Sequence, residues 1–184
     1  MMATTERAES NSDIIVMGVS GCGKSTVAAG LAEHLERRFI EGDALHPEAN
    51  RRKMAAGQPL DDSDRWPWLD RIRAEMASAR MPVVIACSAL RRAYRDRLRR
   101  ADRRPVLPRP VIFLHLTAAR EVIAQRMEQR AGHFMPVALL DSQFAALEPL
   151  EPDEPGCTVT ALDSPKDTIQ AAIAGLNECY DLHE

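Results

Sequence analysis

The chain has 184 residues, a formal net charge of −3 and a sequence pI of about 6.0. A chain of this length fits one compact domain, and its slight negative charge argues against a protein that coats nucleic acid or an anionic membrane. Its apolar runs are strand-sized and far shorter than the roughly 20 residues that span a bilayer. We therefore predict a cytoplasmic protein with small partners, made of a disordered polar tail over residues 1–12 and a single domain over residues 13–184.

Strand-like and helix-like segments alternate along the chain. Short apolar runs predict buried strands at 13–17, 38–40, 83–87, 111–116 and 157–162. Apolar residues at helical spacing, together with start and stop signals, predict helices at 24–37, 47–57, about 67–80, 89–101, 118–130 and from Ser164–Pro165 onward. This alternation predicts an α/β fold with a mainly parallel sheet and helices on both faces.

Four cysteines are scattered through the chain without CxxC spacing or a paired histidine pattern. Such a distribution is not typical of a zinc site or of a disulfide-stapled secreted domain. We expect free thiols in a reducing compartment.

Residues 18–25 match the phosphate-binding P-loop pattern GxxxxGK[ST] in full, between a predicted strand and a predicted helix. In such a loop the glycines turn successive backbone N–H groups toward one anion, Lys24 reaches the β- and γ-phosphates, and Ser25 can ligate Mg²⁺. The alternative is a glycine turn without a nucleotide, which this context disfavours. The predicted nucleotide-binding residues are Gly18, Ser20, Gly21, Cys22, Gly23, Lys24, Ser25 and Thr26.

A P-loop alone does not separate kinases from GTPase switches, ATP-driven motors and passive nucleotide sensors. The sequence has no Asn-Lys-x-Asp guanine-reading motif and no ABC-type signature. A small α/β chain with a P-loop and little else is typical of a small-molecule or nucleotide kinase. A sensor that binds ATP without transferring phosphate stays open as the alternative from another class.

Three further segments, 41–69, 87–99 and 126–148, resemble the gluconokinase family, and the similarity extends over roughly residues 13 to 175. Shikimate, adenylylsulfate and nucleoside monophosphate kinases share the P-loop but not these three segments together. The resemblance implies an adenylate-kinase-like fold with a mobile lid near 126–140, and a homodimer. It also implies phosphorylation of D-gluconate at its C6 hydroxyl by ATP and Mg²⁺, as in the pentose phosphate pathway. A kinase for another small sugar acid is the alternative within the enzymes.

A Glu-Gly-Asp turn follows the second predicted strand and supplies a candidate catalytic carboxylate. Asp43 falls at the carboxyl edge, where α/β sheets bind ligands, and we assign it to the substrate hydroxyl as orienting group or base. The alternative is a turn or helix cap. Glu41 departs from the Asp-Gly-Asp that is more usual in the family, but its longer carboxylate can still reach a water bound to Mg²⁺.

Three residues from different segments are candidates for the rest of the acceptor site. Arg65 can grip a substrate carboxylate through two parallel hydrogen bonds, and its alternative is an ion pair with an aspartate within residues 61–64. His46 can bond a sugar-acid hydroxyl or be satisfied by a loop carbonyl. Ser88 directly follows a buried strand, where it can face the substrate or act as a helix N-cap.

The segment 91–104 is rich in arginine, but Asp96 and Asp102 interrupt it and no aromatic residues alternate with the arginines. A nucleic-acid interface is therefore disfavoured. Arg91 and Arg95 are four residues apart, hence on one face of a predicted helix, and one of them can reach the pocket. We take Arg91 as the candidate.

Arg126 and Arg130 also lie four residues apart on a predicted helix. The family resemblance places them at the lid, where arginines fold over the ATP phosphates and neutralise the charge of the transferring group. The alternative is a pair of solvated arginines that bond nearby glutamates. His133 is assigned as a contact to substrate or nucleotide without a chemical role.

Overall fold

The computed structural model describes residues 11–100, 105–129 and 137–181. Five strands form one sheet in which every observed pairing is parallel, in the order β2-β3-β1-β4-β5. The strands are β1 (Asp13–Met17), β2 (Arg38–Glu41), β3 (Val83–Ala86), β4 (Val111–Thr117) and β5 (Gly156–Thr160). The predicted parallel α/β sheet is confirmed, and the predicted strand ends differ from the observed ones by at most two residues.

Helices connect the strands. They are α1 (Lys24–His34), α2 (Glu48–Ala55), α3 (Asp62–Ser78), α4 (Arg92–Arg99), α5 (Arg120–Gln129), α6 (Val137–Ala146) and α7 (Pro165–Asp181), with a short 3₁₀ turn at Gly42–Leu45. None of these helices is long and apolar enough to cross a bilayer.

The core consists of two apolar clusters, one on each face of the sheet. Because successive side chains of a strand point to opposite faces, Ile14 and Val16 of β1 face one cluster and Ile15 and Met17 face the other. Helices α1, α5, α6 and α7 supply apolar residues to the first cluster, and α3 and α4 supply them to the second. Burial on both faces explains why these strands read as continuous apolar runs.

Two helices begin three or more residues away from the start that the sequence predicted. Helix α3 starts at Asp62 rather than near Pro67, because Asp61 and Asp64 form a capping box: each carboxylate accepts the other residue's backbone N–H at 3.0 Å. Helix α4 starts at Arg92 rather than at residue 89. Ala89 has a left-handed φ of 42°, which breaks a helix there.

A residue distant in sequence fixes the start of α4. The carboxylate of Glu148 accepts the backbone N–H of Arg92 at 2.6 Å, and the N–H of Glu148 donates to the Leu90 carbonyl at 2.8 Å. A side chain 56 residues away supplies this contact, so local sequence signals do not reveal it. Of the two roles considered for Ser88, the helix N-cap is therefore wrong, since Arg91 is the residue before the helix.

The parallel arrangement brings the ends of three strands together at one edge of the sheet. The P-loop follows β1, the 3₁₀ turn follows β2, and Ser88 lies just beyond β3. Strand β1 lies between β3 and β4, which is where the order of strands reverses and where open α/β sheets bind their ligands. This edge is the candidate site.

Candidate active site

The P-loop has the backbone that its glycines predict. Gly18, Gly21 and Gly23 have φ values of 139°, 80° and 105°, a region that disfavours residues with a Cβ. A Cβ on Gly18 would lie 2.4 Å from the carbonyl oxygen of Leu116, so this position also needs glycine for space. The structure thus holds the loop open for backbone N–H groups to face an anion.

The side chains of the loop divide into buried and accessible ones. Lys24 donates from Nζ to the Val19 carbonyl at 3.0 Å, which lays its ammonium group across the loop. Ser25 and Thr26 are exposed, and their hydroxyls are accessible at the start of α1. Cys22 is buried, so it can offer only its backbone N–H to a phosphate.

The acceptor-side carboxylate is held by the backbone around it. The Glu41 carboxylate accepts the Asp43 N–H at 3.4 Å and so caps the 3₁₀ turn, which leaves the Asp43 side chain 70% exposed. The alternative role of Asp43 as a turn cap thus belongs to Glu41. Trp68 donates from Nε1 to the Gly42 carbonyl at 2.7 Å, and a Cβ on Gly42 would lie 2.3 Å from the Ala86 carbonyl oxygen. These close contacts fix the turn against β3 and α3.

Charged groups from three segments surround the end of β3. The Cys87 thiol is fully buried and its pKa is raised to about 12, mainly by burial; the nearby Asp43 and Glu41 carboxylates contribute to the rise, and the Ala89 backbone N–H and Lys24 oppose it. The Gly18 N–H donates to the Ser88 carbonyl at 3.2 Å and ties the P-loop to the same strand end. The structure therefore brings Lys24 and Asp43, two of the three predicted catalytic residues, to the same strand end, while the third, Arg130, lies outside the described residues.

His46 lies beneath this surface as a neutral ring. It is 3% exposed and stacks on Trp68 with ring centroids 4.1 Å apart. Its Nδ1 lies 3.2 Å from the side-chain nitrogen of Asn50, so a side-chain amide takes the place of the predicted loop carbonyl. Burial, with smaller contributions from Arg65 and Arg51, lowers the pKa of His46 to about 4.

Arg65 and Arg91 meet beside Tyr94, which the sequence did not indicate, and Asp62, which the sequence indicated only as a possible ion-pair partner of Arg65. The Tyr94 hydroxyl donates to the Asp62 carboxylate at 2.5 Å, and Nη1 of Arg91 donates to the same carboxylate at 3.1 Å. Nη1 of Arg65 donates to the Tyr94 hydroxyl at 3.3 Å and lies 4.0 Å from Asp62. The closer partner of Arg65 is therefore a tyrosine, and the predicted ion pair with an aspartate is the longer contact.

Of the two arginines considered on the predicted helix, Arg91 faces the site and Arg95 does not. Arg95 is fully buried, where its guanidinium binds both carboxylate oxygens of Glu154 at 2.7 Å. The spacing of four residues predicted that both arginines lie on one helical face. That prediction is wrong because Arg91 precedes α4 and is not part of it. Arg95 instead fastens the segment after α6 to the core.

A cavity of about 120 Å³ lies between the P-loop and the loop after β5. Its lining includes Gly21, Gly23, Thr26, Arg126, Leu162 and Pro165, and Arg126 donates to the Leu162 carbonyl at 2.8 Å. The loop after β5, which supplies Leu162 and Pro165, carries no motif that the sequence analysis could have used. Arg130 and His133, the other predicted lid residues, lie outside the described residues.

Gln143 of α6 also contacts the P-loop and was missed. Its Oε1 accepts the backbone N–H of Ser20 at 2.7 Å across 123 residues of sequence. A single glutamine that follows Asp141 and Ser142 in a mixed helix gives little signal of such a contact. The contact attaches the helix that follows the predicted lid to the phosphate-binding loop.

The oxygen donors at this edge are of the kind that Mg²⁺ prefers. Ser25 offers an accessible hydroxyl and Glu41 a half-buried carboxylate, both near the P-loop lysine. Within residues 11–100, 105–129 and 137–181, no group of three or more histidine, cysteine or acidic residues could hold a metal ion by itself. This donor set suits a cation that is bound largely by water and phosphate.

Comparisons with known proteins agree with this geometry. A family model described as "AAA domain" matches residues 14–150. The chain is 46% identical over 164 residues to a gluconokinase of Gluconobacter oxydans, which covers 87% of this chain and 88% of that protein. It is 47% identical over 143 residues to the thermosensitive gluconokinase of Escherichia coli, over 76% of this chain and 73% of that protein.

Solved structures extend the likeness to three dimensions. A crystal structure of a gluconokinase from Sinorhizobium meliloti superposes with a TM-score of 0.84 at 43% identity, and covers 94% of this chain and 95% of that one. A Mycobacterium tuberculosis APS kinase, solved with AMPPNP and APS, superposes at a TM-score of 0.60 with 16% identity over 91% of this chain and 98% of that one, which shows a shared fold only. The identity, the coverage and the sheet-edge constellation together show that the chain belongs to the gluconokinase family.

Proposed function

We propose that the protein transfers the γ-phosphoryl group of ATP to the C6 hydroxyl of D-gluconate, giving 6-phospho-D-gluconate and ADP. The observation that carries this proposal is the exposed Asp43 carboxylate at the same strand ends as Lys24 of the P-loop. A phosphate-binding loop facing an acceptor-side carboxylate is the minimum that phosphoryl transfer to an alcohol requires. The acceptor's identity is taken from the names of the related gluconokinases.

The proposed reaction divides its work between the two sides of this edge. The P-loop N–H groups and Lys24 hold the phosphates and stabilise the negative charge that spreads over the transferring group. Asp43 accepts the proton of the attacking hydroxyl or orients it, while the oxygen attacks the γ-phosphorus and the bond to ADP breaks. In-line placement of the two substrates supplies most of the remaining rate.

The acceptor lies, in this proposal, between Asp43 and the arginines. Arg65 and Arg91 bind the carboxylate of gluconate, and Ser88 lies at the strand end between them and the P-loop. Neutral His46 gives the floor of the pocket a polar group that does not repel the arginines.

The nucleotide's base and sugar fit the cavity between the P-loop and the loop after β5. Arg126 lies at its rim, and we propose that it covers the nucleotide together with Arg130, with His133 as a further lid contact. Lid residues near 126–140 would then exclude water from the transferring group.

Mg²⁺ bound together with ATP would supply positive charge that offsets the negative charge of the phosphates. Ser25 and Glu41 are the residues proposed to hold it, the first directly and the second through a bound water. The longer glutamate side chain is compatible with a water-mediated contact.

A cytoplasmic homodimer in the pentose phosphate pathway is a further part of this proposal. Its support is the resemblance to the gluconokinase family. Light scattering of the purified chain would show about twice the 20.4 kDa mass of one chain if the dimer forms.

The test of the proposed function is to identify the product. The protein, MgATP and D-gluconate are incubated, and 6-phosphogluconate is detected by NADPH formation with added 6-phosphogluconate dehydrogenase. We expect NADPH in proportion to the ATP consumed. ATP binding without any NADPH would favour the sensor alternative.

A further inference from the structure

Asp62 lies next to both arginines of the proposed acceptor site. Its carboxylate receives the Tyr94 hydroxyl at 2.5 Å and Nη1 of Arg91 at 3.1 and 3.3 Å from its two oxygens. The guanidinium carbons of Arg65 and Arg91 lie over the Tyr94 ring, 5.5 and 5.8 Å from its centroid. One carboxylate and one aromatic ring therefore hold both arginines in place.

The backbone of Asp62 and the ring of Tyr94 are fixed. Asp62 is the first residue of α3, whose start is held by the Asp61–Asp64 capping box. Tyr94 of α4 is 2% exposed and packs in the core, and its ring meets Trp66 edge-on at 5.3 Å. The side chains of Asp62, Arg65 and Arg91 are 47%, 20% and 41% exposed, so their mutual contacts hold them in place. Without an anchor, long side chains at such a surface adopt many rotamers.

The charge around the cluster suits one bound anion. Asp64 binds Lys53 at 2.7 Å, and Asp61 lies 3.9 Å from the same lysine. On the neighbouring part of helices α3 and α4, Arg97 pairs with Asp70 at 2.7 Å. Asp62 thus faces two arginines, and the cluster of these three side chains keeps a single positive charge.

We propose that Asp62 is a positioning residue for recognition of the acceptor's carboxylate. It fixes Arg91 directly and Arg65 through the Tyr94 hydroxyl, so that the two guanidinium groups present their remaining N–H donors to one carboxylate. This inference rests on the proposed function and adds the residue that sets its selectivity for an acid over a neutral polyol.

The opposite role, in which Asp62 competes with the substrate, is disfavoured by the number of N–H donors on the two arginines that Asp62 does not bind. A guanidinium carries five N–H donors, and Asp62 takes only Nη1 of Arg91 and no hydrogen bond from Arg65. A planar fork that is already oriented by one carboxylate loses less entropy when it binds a second one. Holding the arginines ready therefore strengthens binding of the acid.

The experiment compares D-gluconate with D-gluconamide, which keeps every hydroxyl and replaces the carboxylate by a neutral amide. The readout is the ratio of kcat/KM for the acid to kcat/KM for the amide. We expect a ratio of about 100 or more in the unmodified protein, since a bidentate charge-assisted contact is lost with the amide. In Asp62→Ala we expect this ratio to fall about tenfold or more, through KM for gluconate, with kcat changed by less than about threefold.

Two further variants separate positioning from folding. Tyr94→Phe removes the hydroxyl that links Asp62 to Arg65 and should lower the ratio by a smaller factor than Asp62→Ala. Asp70→Asn weakens the other ion pair between α3 and α4 and should leave the ratio unchanged. If Asp62→Ala does not fold, Asp62→Asn, which keeps the side-chain shape, should still lower the ratio.

Each of the other possible outcomes overturns either the inference about Asp62 or the proposed function. A ratio that stays the same in the Asp62 variants means that their effect is only structural, and a ratio that rises means that Asp62 competes with the acceptor; both overturn the inference. A ratio near one in the unmodified protein, with good turnover of gluconate, overturns the inference and leaves the proposed function standing. No turnover of gluconate at all removes the proposed function itself.

Discussion

Asp43 is placed by contacts of its backbone and its neighbours, and its own carboxylate stays exposed. Glu41 binds its N–H, Trp68 binds the Gly42 carbonyl before it, and the turn lies too close to the Ala86 carbonyl for any side chain at Gly42. A carboxylate held in this way is available to an incoming hydroxyl without first breaking a bond of its own. This arrangement is the reason to assign the proton-accepting role to Asp43.

The first prediction concerns Asp43→Asn. The amide keeps the shape but cannot accept a proton, so we expect kcat with gluconate to fall by about 10²- to 10⁴-fold. Affinity for ATP, measured by equilibrium titration, should change little, because the P-loop is untouched. Glu48→Gln is the matched control, since this exposed acid of α2 bonds Arg51 and Arg52 and should keep full activity. Equal rates in the two variants would remove Asp43 from the reaction.

The second prediction concerns His46 and pH. Its pKa is about 4 in the folded protein and about 6.5 in the unfolded chain. Below pH 6.5 the unfolded chain takes up a proton that the folded protein refuses, so stability is complete above pH 6.5 and falls by about 1.4 kcal/mol per pH unit toward pH 4.

Urea unfolding at pH 7 and pH 5 measures this effect. Between these values the unmodified protein should lose about 2 kcal/mol more than His46→Gln, which has no group that titrates in this range. His115, whose pKa burial also lowers, is present in both proteins and cancels in the comparison. Equal losses in the two proteins would show that His46 takes up its proton in the folded state.

The sequence singles out residues where one local motif carries them. Lys24 and its glycines lie in a continuous pattern, and Asp43 follows a recognisable strand. Asp62 was named only as one possible ion-pair partner of Arg65, and Tyr94 and Gln143 were missed, because their main contacts are with residues tens of positions away and a single sequence gives no measure of such contacts.

At the scale of elements, the segment between α6 and β5 connects α4, which lies beside the proposed acceptor site, to the edge strand of the sheet. Glu148 holds the start of α4, and six residues later Glu154 binds the buried guanidinium of Arg95. The same arginine donates to the Ala89, Leu90, Glu148 and Pro149 carbonyls. A helix that carries Tyr94 is thereby fixed before any substrate arrives.

The third prediction concerns this buried pair. Glu154→Ala leaves the Arg95 charge buried without its carboxylate, so we expect a loss of about 3–5 kcal/mol in the free energy of unfolding. Glu151→Ala removes an exposed partner of Arg92 from the same loop and should change stability far less. Denaturant titration of both variants gives the two values. Similar losses would mean that burial of the pair adds nothing.

The starts of α3 and α4 show the limit of local signals for elements. The capping box of α3 stands in the sequence as Asp61–Asp64, but Pro67 gave a stronger apparent start. Proline lacks the N–H that an interior position would donate, and its usual place in the first turn led to the late prediction. The start of α4 depends on Glu148, and only the tertiary fold reveals that contact.

At the scale of the whole molecule, the order of the strands in the parallel sheet determines where the candidate site lies. Its order places β1 between β3 and β4, so the P-loop opens toward the ends of β2 and β3 on one side and toward the loop after β5 on the other. In the proposed reaction, the acceptor and the nucleotide approach the P-loop from these two sides. Alternation of strands and helices predicted the parallel sheet, whereas the order of the strands came from no feature of the sequence alone.

The fourth prediction concerns ADP release from MgATP with a panel of acceptors, which is the most direct test of the proposed function. D-gluconate is compared with shikimate, D-glucose, D-glucuronate, adenosine 5′-phosphosulfate and no acceptor, in an NADH-coupled assay. We expect turnover with D-gluconate and no turnover above background with the other acceptors. Turnover with another acceptor in place of gluconate would keep the kinase and contradict the assigned substrate, and bound ATP without ADP release across the whole panel would contradict the kinase itself.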